Sequence, residues 1–344
     1  MKKIIYILHE YGEKTHYAAL EYLCKIHNID LKYYEFSFFK NFIKAIIKFD
    51  FNLLKKQILN FKFLVSLLFR KNKRIVLGMA PYDYRLFFLK FIFKKHNIYY
   101  HTSWTKWDRS FYPKKRFVNI RLIFLWENFL KKDIKHIFSV SNYAKQSLIK
   151  NLSIKDKDIS VVYHSLNSKV FYSKNLERTN DFIYAGRLVE EKGIKELIEI
   201  FSQKQEKLII VGDGILKDFV KSQVKLYDNI SYMDKVSQEK LAYLFNISRF
   251  LILNSKRSSF WEELFGMVII EAMACGVIPI VVNHNGPKEI LNNKIGILYE
   301  EGYLSDILKK ISDIDEKEMI VKCIKKSQFF TIDNIAKFWE KVIE

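Results

Sequence analysis

Cysteine is nearly absent from this chain: Cys24, Cys275 and Cys323 are the only three in 344 residues. They are odd in number, far apart and set among apolar residues. They offer neither a disulfide framework nor the short spacings of a zinc site, and a reducing compartment is expected. Arginine is scarce too, with ten against forty-eight lysines. The net charge of +20 therefore rests on Lys, whereas base-reading and stacking sites lean on Arg, so nucleic acid is not an expected partner. No uncharged apolar run approaches the ~18–20 residues that span a bilayer. The opening MKKIIYILHEYG has five apolar residues (4–8) before His9 and Glu10, too few for a secretory leader, and reads as a buried strand. A cytoplasmic protein is expected. Neither half carries a G-x-G-x-x-G loop: Gly12 stands alone after the first strand, and Gly212-Asp213-Gly214 is too short. That absence argues against a hydride-transfer enzyme.

What is present is alternation. Strand candidates at 4–8, 29–36, 74–79, 98–102, 136–140 and 160–164 are separated by helical patterns such as THYAALEYLCKI (15–26) and SNYAKQSLIKNL (141–152). From Asn180 a second series begins: DFIYAG, a helix from Lys195, LIIVGDG, NISYM, FLILNS and VIPIVV. Such alternation over short connections predicts parallel α/β sheets, and this length suits two domains better than one core. No Gly/Ser linker marks a join. The polar stretch SKVFYSKNLERTND (168–181) lies between two strands and places the boundary near Val170–Lys174.

Two carboxylates stand out in WEELFGMVIIEAMACG (261–276): Glu263 before Phe265-Gly266, and Glu271 in the apolar run that follows. Their interval means little alone, since Glu13/Glu21 and Glu191/Glu199 share it. It matters if Glu263 lies in a loop and Glu271 in a helix. Gly266 would then let a ligand approach the free N–H groups of the helix start. Upstream, DFIYAGRLVEEKG (181–193) puts Arg187 at a strand end and Lys192 before the turn at Gly193. Ligands of open α/β sheets bind at the carboxyl ends of strands, which is where both cations fall. Read without context, the same residues are a solvated loop Glu, a capping Glu and two surface cations.

In order along the chain, these segments resemble the GR-x4-KG and E-x7-E elements of the retaining nucleotide-sugar glycosyltransferases of family 4, which have the GT-B fold. LIIVGDG (208–214) resembles that family's V-G-x-G turn, and NHNGPKEIL (283–291) its later Gly-rich turn and Glu. NISYMDKVSQEKLAYLF (229–245) resembles its base-contacting region, with Asp234 where Gly is usual. The resemblance covers most of residues 181–291. It implies two Rossmann-like parallel-sheet α/β domains facing each other across a cleft. The acceptor-side domain would be 1–172 with a crossing helix at 330–344, and the nucleotide-sugar-binding domain 173–329.

The same resemblance assigns roles. Arg187 and Lys192 would hold the donor diphosphate, Glu271 the ribose hydroxyls, and Glu263 the donor sugar. The N–H groups of Phe265, Gly266 and Met267 would face sugar and phosphate. His101 in YYHTSW (99–104) resembles the active-site His near the donor sugar, although a polar strand-end His is the plainer reading. Gly12 resembles the loop that approaches the donor phosphate, and Glu127 matches an acidic helix position for which a structural role is expected. The implied reaction is transfer, with retention, from a nucleotide-diphosphate sugar to a glycan or lipid-linked acceptor in surface polysaccharide, lipopolysaccharide or capsule synthesis. No metal or other cofactor is expected.

Two other readings compete. A metal-dependent GT-A-type transferase would use a D-x-D site, and Asp156/Asp158 and Asp313/Asp315 have that spacing. Both pairs read as solvated turn or helix-start acids. A non-catalytic scaffold binding glycan or membrane would not need Arg187, Lys192, Glu263 and Glu271 together. Basic residues also concentrate between Glu35 and Arg74, and in FFKNFIKAIIKF (38–49) Lys40, Lys44 and Lys48 share one helical face. Such a face suits an anionic membrane surface, at the inner face of the cytoplasmic membrane. Its bland counterpart is an amphipathic helix whose apolar side is core.

Overall fold

The computed structural model describes residues 2–10, 14–113, 118–258 and 261–344, with Phe38, Phe39 and Lys40 described by backbone alone. The chain forms two compact units: residues 1–164 with Ile335–Glu344, and Ser165–Asn334.

The first unit holds a six-stranded sheet of β1 (Ile4–His9), β2 (Asp30–Glu35), β3 (Arg74–Gly78), β4 (Asn97–Thr102), β5 (Ile134–Ser139) and β6 (Ile159–Val161). Its order is β2-β1-β3-β4-β5-β6 and every pairing is parallel. Between the strands run α1 (Ala18–Ile26), α2 (Phe38–Ile47), α3 (Phe51–Phe69), α4 (Leu86–Phe93), α5 (Ile120–Asn128) and α6 (Asn142–Leu152). Parallel strands are covered on both faces, so their residues are apolar almost throughout. Leu8, Ile75, Leu77, Ile98 and Ile137 pack with Phe93, Trp126 and Phe129 in one core. A buried carboxylate fixes α3 to the sheet edge: Glu35 accepts from Lys56 at 2.6 Å, and its N–H donates to Asn60 at 3.1 Å. The last residues belong to this unit. Trp339 lies among Tyr17, His101 and Phe138, and Arg74 donates to the carbonyls of Val342 at 3.1 Å and Glu344 at 2.7 Å.

Helix α2 departs from the amphipathic pattern. Between residues 41 and 49 only Ala45 is buried, while Ile47 is 71% and Phe49 82% exposed, beside exposed Lys44 and Lys48. Its isoleucines Ile43, Ile46 and Ile47 are therefore not core. Among the described residues no helix is long and apolar enough to cross a membrane.

The second unit holds β7 (Asn180–Ala185), β8 (Leu208–Val211), β9 (Ile230–Met233), β10 (Ser248–Leu253), β11 (Ile278–Val282) and β12 (Ile297–Tyr299). The order β12-β11-β10-β7-β8-β9 is again parallel throughout. Its helices are α7 (Ile194–Phe201), α8 (Lys217–Gln223), α9 (Gln238–Asn246), α10 (Met267–Ala274), α11 (Asn285–Ile290), α12 (Leu304–Lys309) and α13 (Glu316–Ser327). Helix α7 shows how pattern becomes packing: Ile194, Leu197, Ile198 and Phe201 share one face, and all four are buried. All three cysteines of the chain are buried, and that burial pushes each thiol up to about 12.

Candidate functional site

The chain builds β7, β8 and β9 outward in one direction, then returns to the other side of β7 for β10. The loops after β7 and β10 therefore leave in opposite directions and open a crevice at the carboxyl ends of the strands, where doubly wound sheets bind ligands. Arg187 and Lys192 lie on the first of these loops, and Glu263 and Gly266 on the second.

Backbone contacts hold the two loops together. The Lys256 N–H donates to the Glu191 carbonyl at 2.8 Å. Gly193, at φ 64°, lies so close to Asn254 that a Cβ there would stand 2.0 Å from its carbonyl oxygen. Only glycine meets both demands. The Asn254 side chain accepts from the Tyr299 hydroxyl at 2.9 Å, which ties the crevice floor to β12.

This scaffold brings Lys192 against Glu263 in an ion pair whose side chains are 12% and 14% exposed. The Lys192 ammonium also stands 5.1 Å from the Trp261 ring centre. The backbone N–H of Glu263 donates to Nδ1 of His284 at 3.2 Å, which leaves the His284 proton on Nε2, 3.0 Å from Glu301. His284 is 1% exposed, so this relay fixes the Glu263 loop from beneath. Arg187 is exposed and makes no ion pair among the described residues. Both it and Glu263 act on the buried Tyr184 phenol. Burial and then the Glu263 charge raise its pKa, while Arg187 lowers it.

Gly266 turns the loop into α10 at φ 86°, a backbone shape that L side chains resist. The first N–H groups of a helix have no intrahelical partner, and α10 begins at Met267, directly after Gly266. Phe265 anchors the turn, 3% exposed, with its ring 5.9 Å from Phe330. Glu271 lies one turn into α10 and makes no hydrogen bond or ion pair among the described residues. Burial pushes its carboxyl up to about 7. Glu263 is thus a loop residue and Glu271 a helix residue. The arrangement offers cations and N–H donors to an anion, and a carboxyl to hydroxyl groups.

His101 ends β4 in the first unit, 8% exposed, with Nδ1 3.2 Å from the Tyr17 hydroxyl. Gly12 lies outside the described residues, as does the Lys40 side chain. Glu127 is held by Arg109 at 2.7 Å, a structural pairing. Asp234 pairs with Lys217 and accepts from the Tyr232 hydroxyl at 2.7 Å, which holds it beside the Gly212 carbonyl. Asp156 pairs with Lys145 at 2.9 Å and Asp315 caps α13, so neither D-x-D spacing ends a buried strand. Sequence reading did not single out Trp261, His284 or Asn254. The position of His284, two residues past a strand and inside the NHNG turn, was the one available signal.

Comparison with known proteins bears on the family and the fold. Residues 168–328 match the family model of glycosyl transferases group 1. The chain is 28% identical over 213 residues to an uncharacterised glycosyltransferase of Methanocaldococcus jannaschii, covering 60% of this chain and 56% of that protein. It is 28% identical over 195 residues to the O-antigen chain mannosyltransferase RfbU of Salmonella typhimurium, covering 55% of this chain and 53% of the other. The chain thus spans just over half the length of these curated relatives. Anabaena HepE, solved in complex with UDP, superimposes with a TM-score of 0.69 at 16% identity, over 99% of both chains. The fold is GT-B, with two Rossmann-like domains, which sets aside the GT-A reading. By sequence the protein resembles the group 1 glycosyl transferases over residues 168–328, and by fold it resembles the solved Anabaena protein along its length.

Proposed function

We propose that the protein is a family 4 glycosyltransferase that moves a sugar, with retention, from a nucleoside-diphosphate donor to an acceptor in surface-glycan synthesis. The observation that carries this is the meeting of Arg187, Lys192, Glu263 and the α10 start at one switch point, inside the matched segment. Negative charge grows on the diphosphate as the bond to the sugar breaks, and fixed cations and N–H groups lower the barrier there. The diphosphate would draw Lys192 from Glu263 and free that carboxylate for the donor sugar. Glu271 would take the ribose hydroxyls. UDP in the solved Anabaena protein supports a nucleotide-sugar donor, and the O-antigen relative supports a polysaccharide product. On this reading the second unit binds donor and the first binds acceptor. The exposed Ile47 and Phe49 beside Lys44 and Lys48 support docking on anionic lipid.

The test is release of nucleotide from a panel of nucleotide sugars, with and without candidate acceptors. Because protein groups supply the positive charge, turnover is expected to persist in excess chelator. Loss in EDTA, restored by Mn²⁺ or Mg²⁺, would refute the metal-free mechanism, and no turnover of any donor would refute the activity.

A further inference from the structure

Three consecutive residues of the loop that enters α10 leave it in two directions. Glu262 turns inward: it is 8% exposed, accepts from the Asn285 side chain at 2.9 Å and stands 3.6 Å from Arg257. Trp261 and Glu263, on either side of it, both reach the Lys192 ammonium. Backbone contacts fix this corner. The Trp261 carbonyl accepts from the Ser258 N–H at 2.9 Å, and the Glu263 carbonyl from the Gly286 N–H at 3.2 Å. A Cβ at Gly286 would stand 2.3 Å from the Leu264 backbone, so the loop is seated closely on α11.

The two partners of the ammonium differ in kind. Glu263 carries a full charge and competes with any incoming anion for Lys192. The Trp261 ring, with its centre 5.1 Å away and within the ~6 Å reach of a cation–π contact, offers only its negative face. An anion can therefore replace the carboxylate while the ring keeps the ammonium. Lysine needs such a hold, because its charge sits on a long, flexible stem that loses freedom when an anion fixes it. The Lys192 side chain is 12% exposed, so water weakens the ring contact little. Trp261 stands two residues before the E-x7-E element and is not part of it. We infer that Trp261 is a positioning residue for the donor diphosphate, holding the Lys192 ammonium in the crevice when the diphosphate displaces Glu263 from it. The inference rests on the diphosphate role proposed for Lys192 and names the group that presents it.

Fluorine on an indole drains the negative face of the ring and leaves its shape nearly unchanged, so it separates a cation–π hold from simple packing. Position 261 would carry progressively fluorinated tryptophans, with Trp261→Leu as the end of the series. Binding of inorganic pyrophosphate, UDP and GDP would be followed by titration calorimetry. Affinity is expected to fall step by step with fluorination, reaching roughly tenfold below the parent in Trp261→Leu. The fluorinated chains keep the test open if the Leu variant does not fold. In a Lys192→Met background, where Arg187 remains to hold the probe, the same series is expected to be flat, because the ring acts through the ammonium.

A flat series in the parent chain would overturn the inference, since the ring would then be a wall only. A series that persists without Lys192 would overturn it too. So would a fall with UDP or GDP and none with pyrophosphate, which means that the ring stacks on the base. Donor turnover together with a flat series removes this inference alone. If pyrophosphate, UDP and GDP all fail to bind the parent chain, the diphosphate site and this inference fall together.

Discussion

At the scale of single residues, protonation of Glu271 sets a pH dependence. Its carboxyl is raised by burial from 4.5 to about 7, so the folded state binds that proton more tightly than the unfolded chain does. Its contribution to stability is therefore greatest below the unfolded pKa, declines as pH rises toward 7, and is lost above it. A 2.5-unit difference corresponds to at most about 3 kcal/mol. In urea unfolding, Glu271→Gln should lose less stability than the parent between pH 4.5 and 7.5. An unchanged slope would mean that Glu271 titrates normally. If it binds ribose hydroxyls as a carboxylate, donor KM should also fall as pH rises through 7, and that trend should flatten in the Gln variant. Arg187 and Lys192 separate in a different way. Arg187→Ala removes charge aimed at the leaving diphosphate and should lower kcat by ~10²–10³. Lys192 is already paired, so Lys192→Met and Glu263→Gln should be strongly non-additive, with a coupling of about 0.5–3 kcal/mol in a double-mutant cycle. Additive losses would mean that the pair does not act as a unit.

At the scale of elements, the loop from β7 to α7 depends on one backbone position. Gly193→Ala meets the Asn254 carbonyl and an unfavourable φ together, and should destabilise the protein by about 1–3 kcal/mol in thermal or urea unfolding. A neutral result would show that the two loops are not locked together. The same loops show how far the sequence could be read. Strand and helix alternation was legible because buried parallel strands are apolar without a break and α7 repeats with helical period. The loop position of Glu263 and helical position of Glu271 followed from Gly266 and the apolar run after it. By contrast, β12 has three residues, too few for periodicity, and went unseen. The Lys192–Glu263 pair, the Trp261 ring and the His284 relay join segments from three places in the chain, and no local pattern encodes such meetings. The basic stripe at Lys44 and Lys48 was visible, but whether its apolar neighbours were core could be decided only by packing.

At the scale of the molecule, charge is unevenly distributed: residues 38–96 hold fourteen Lys and Arg against two Asp. Phe49, Phe51, Phe69, Phe88 and Phe91 in this stretch are each more than 70% exposed. Binding to anionic vesicles should therefore weaken as salt rises, since each lysine contributes ~1 kcal/mol before screening. Replacing Lys40, Lys44 and Lys48 by Glu should release the protein with its circular dichroism unchanged. Phe49→Ser with Phe51→Ser should weaken binding at every salt concentration, because buried apolar area is not screened. Equal binding to neutral and anionic vesicles would refute the lipid reading. The buried cysteines have a practical consequence for the two units. Thiols that are inaccessible and held protonated react slowly with maleimides, so the wild-type chain is already a silent background for site-specific labelling. One cysteine introduced on the surface of each unit would carry a fluorophore pair without removing any native residue. Energy transfer between the dyes would then report the separation of the units in solution, with and without donor.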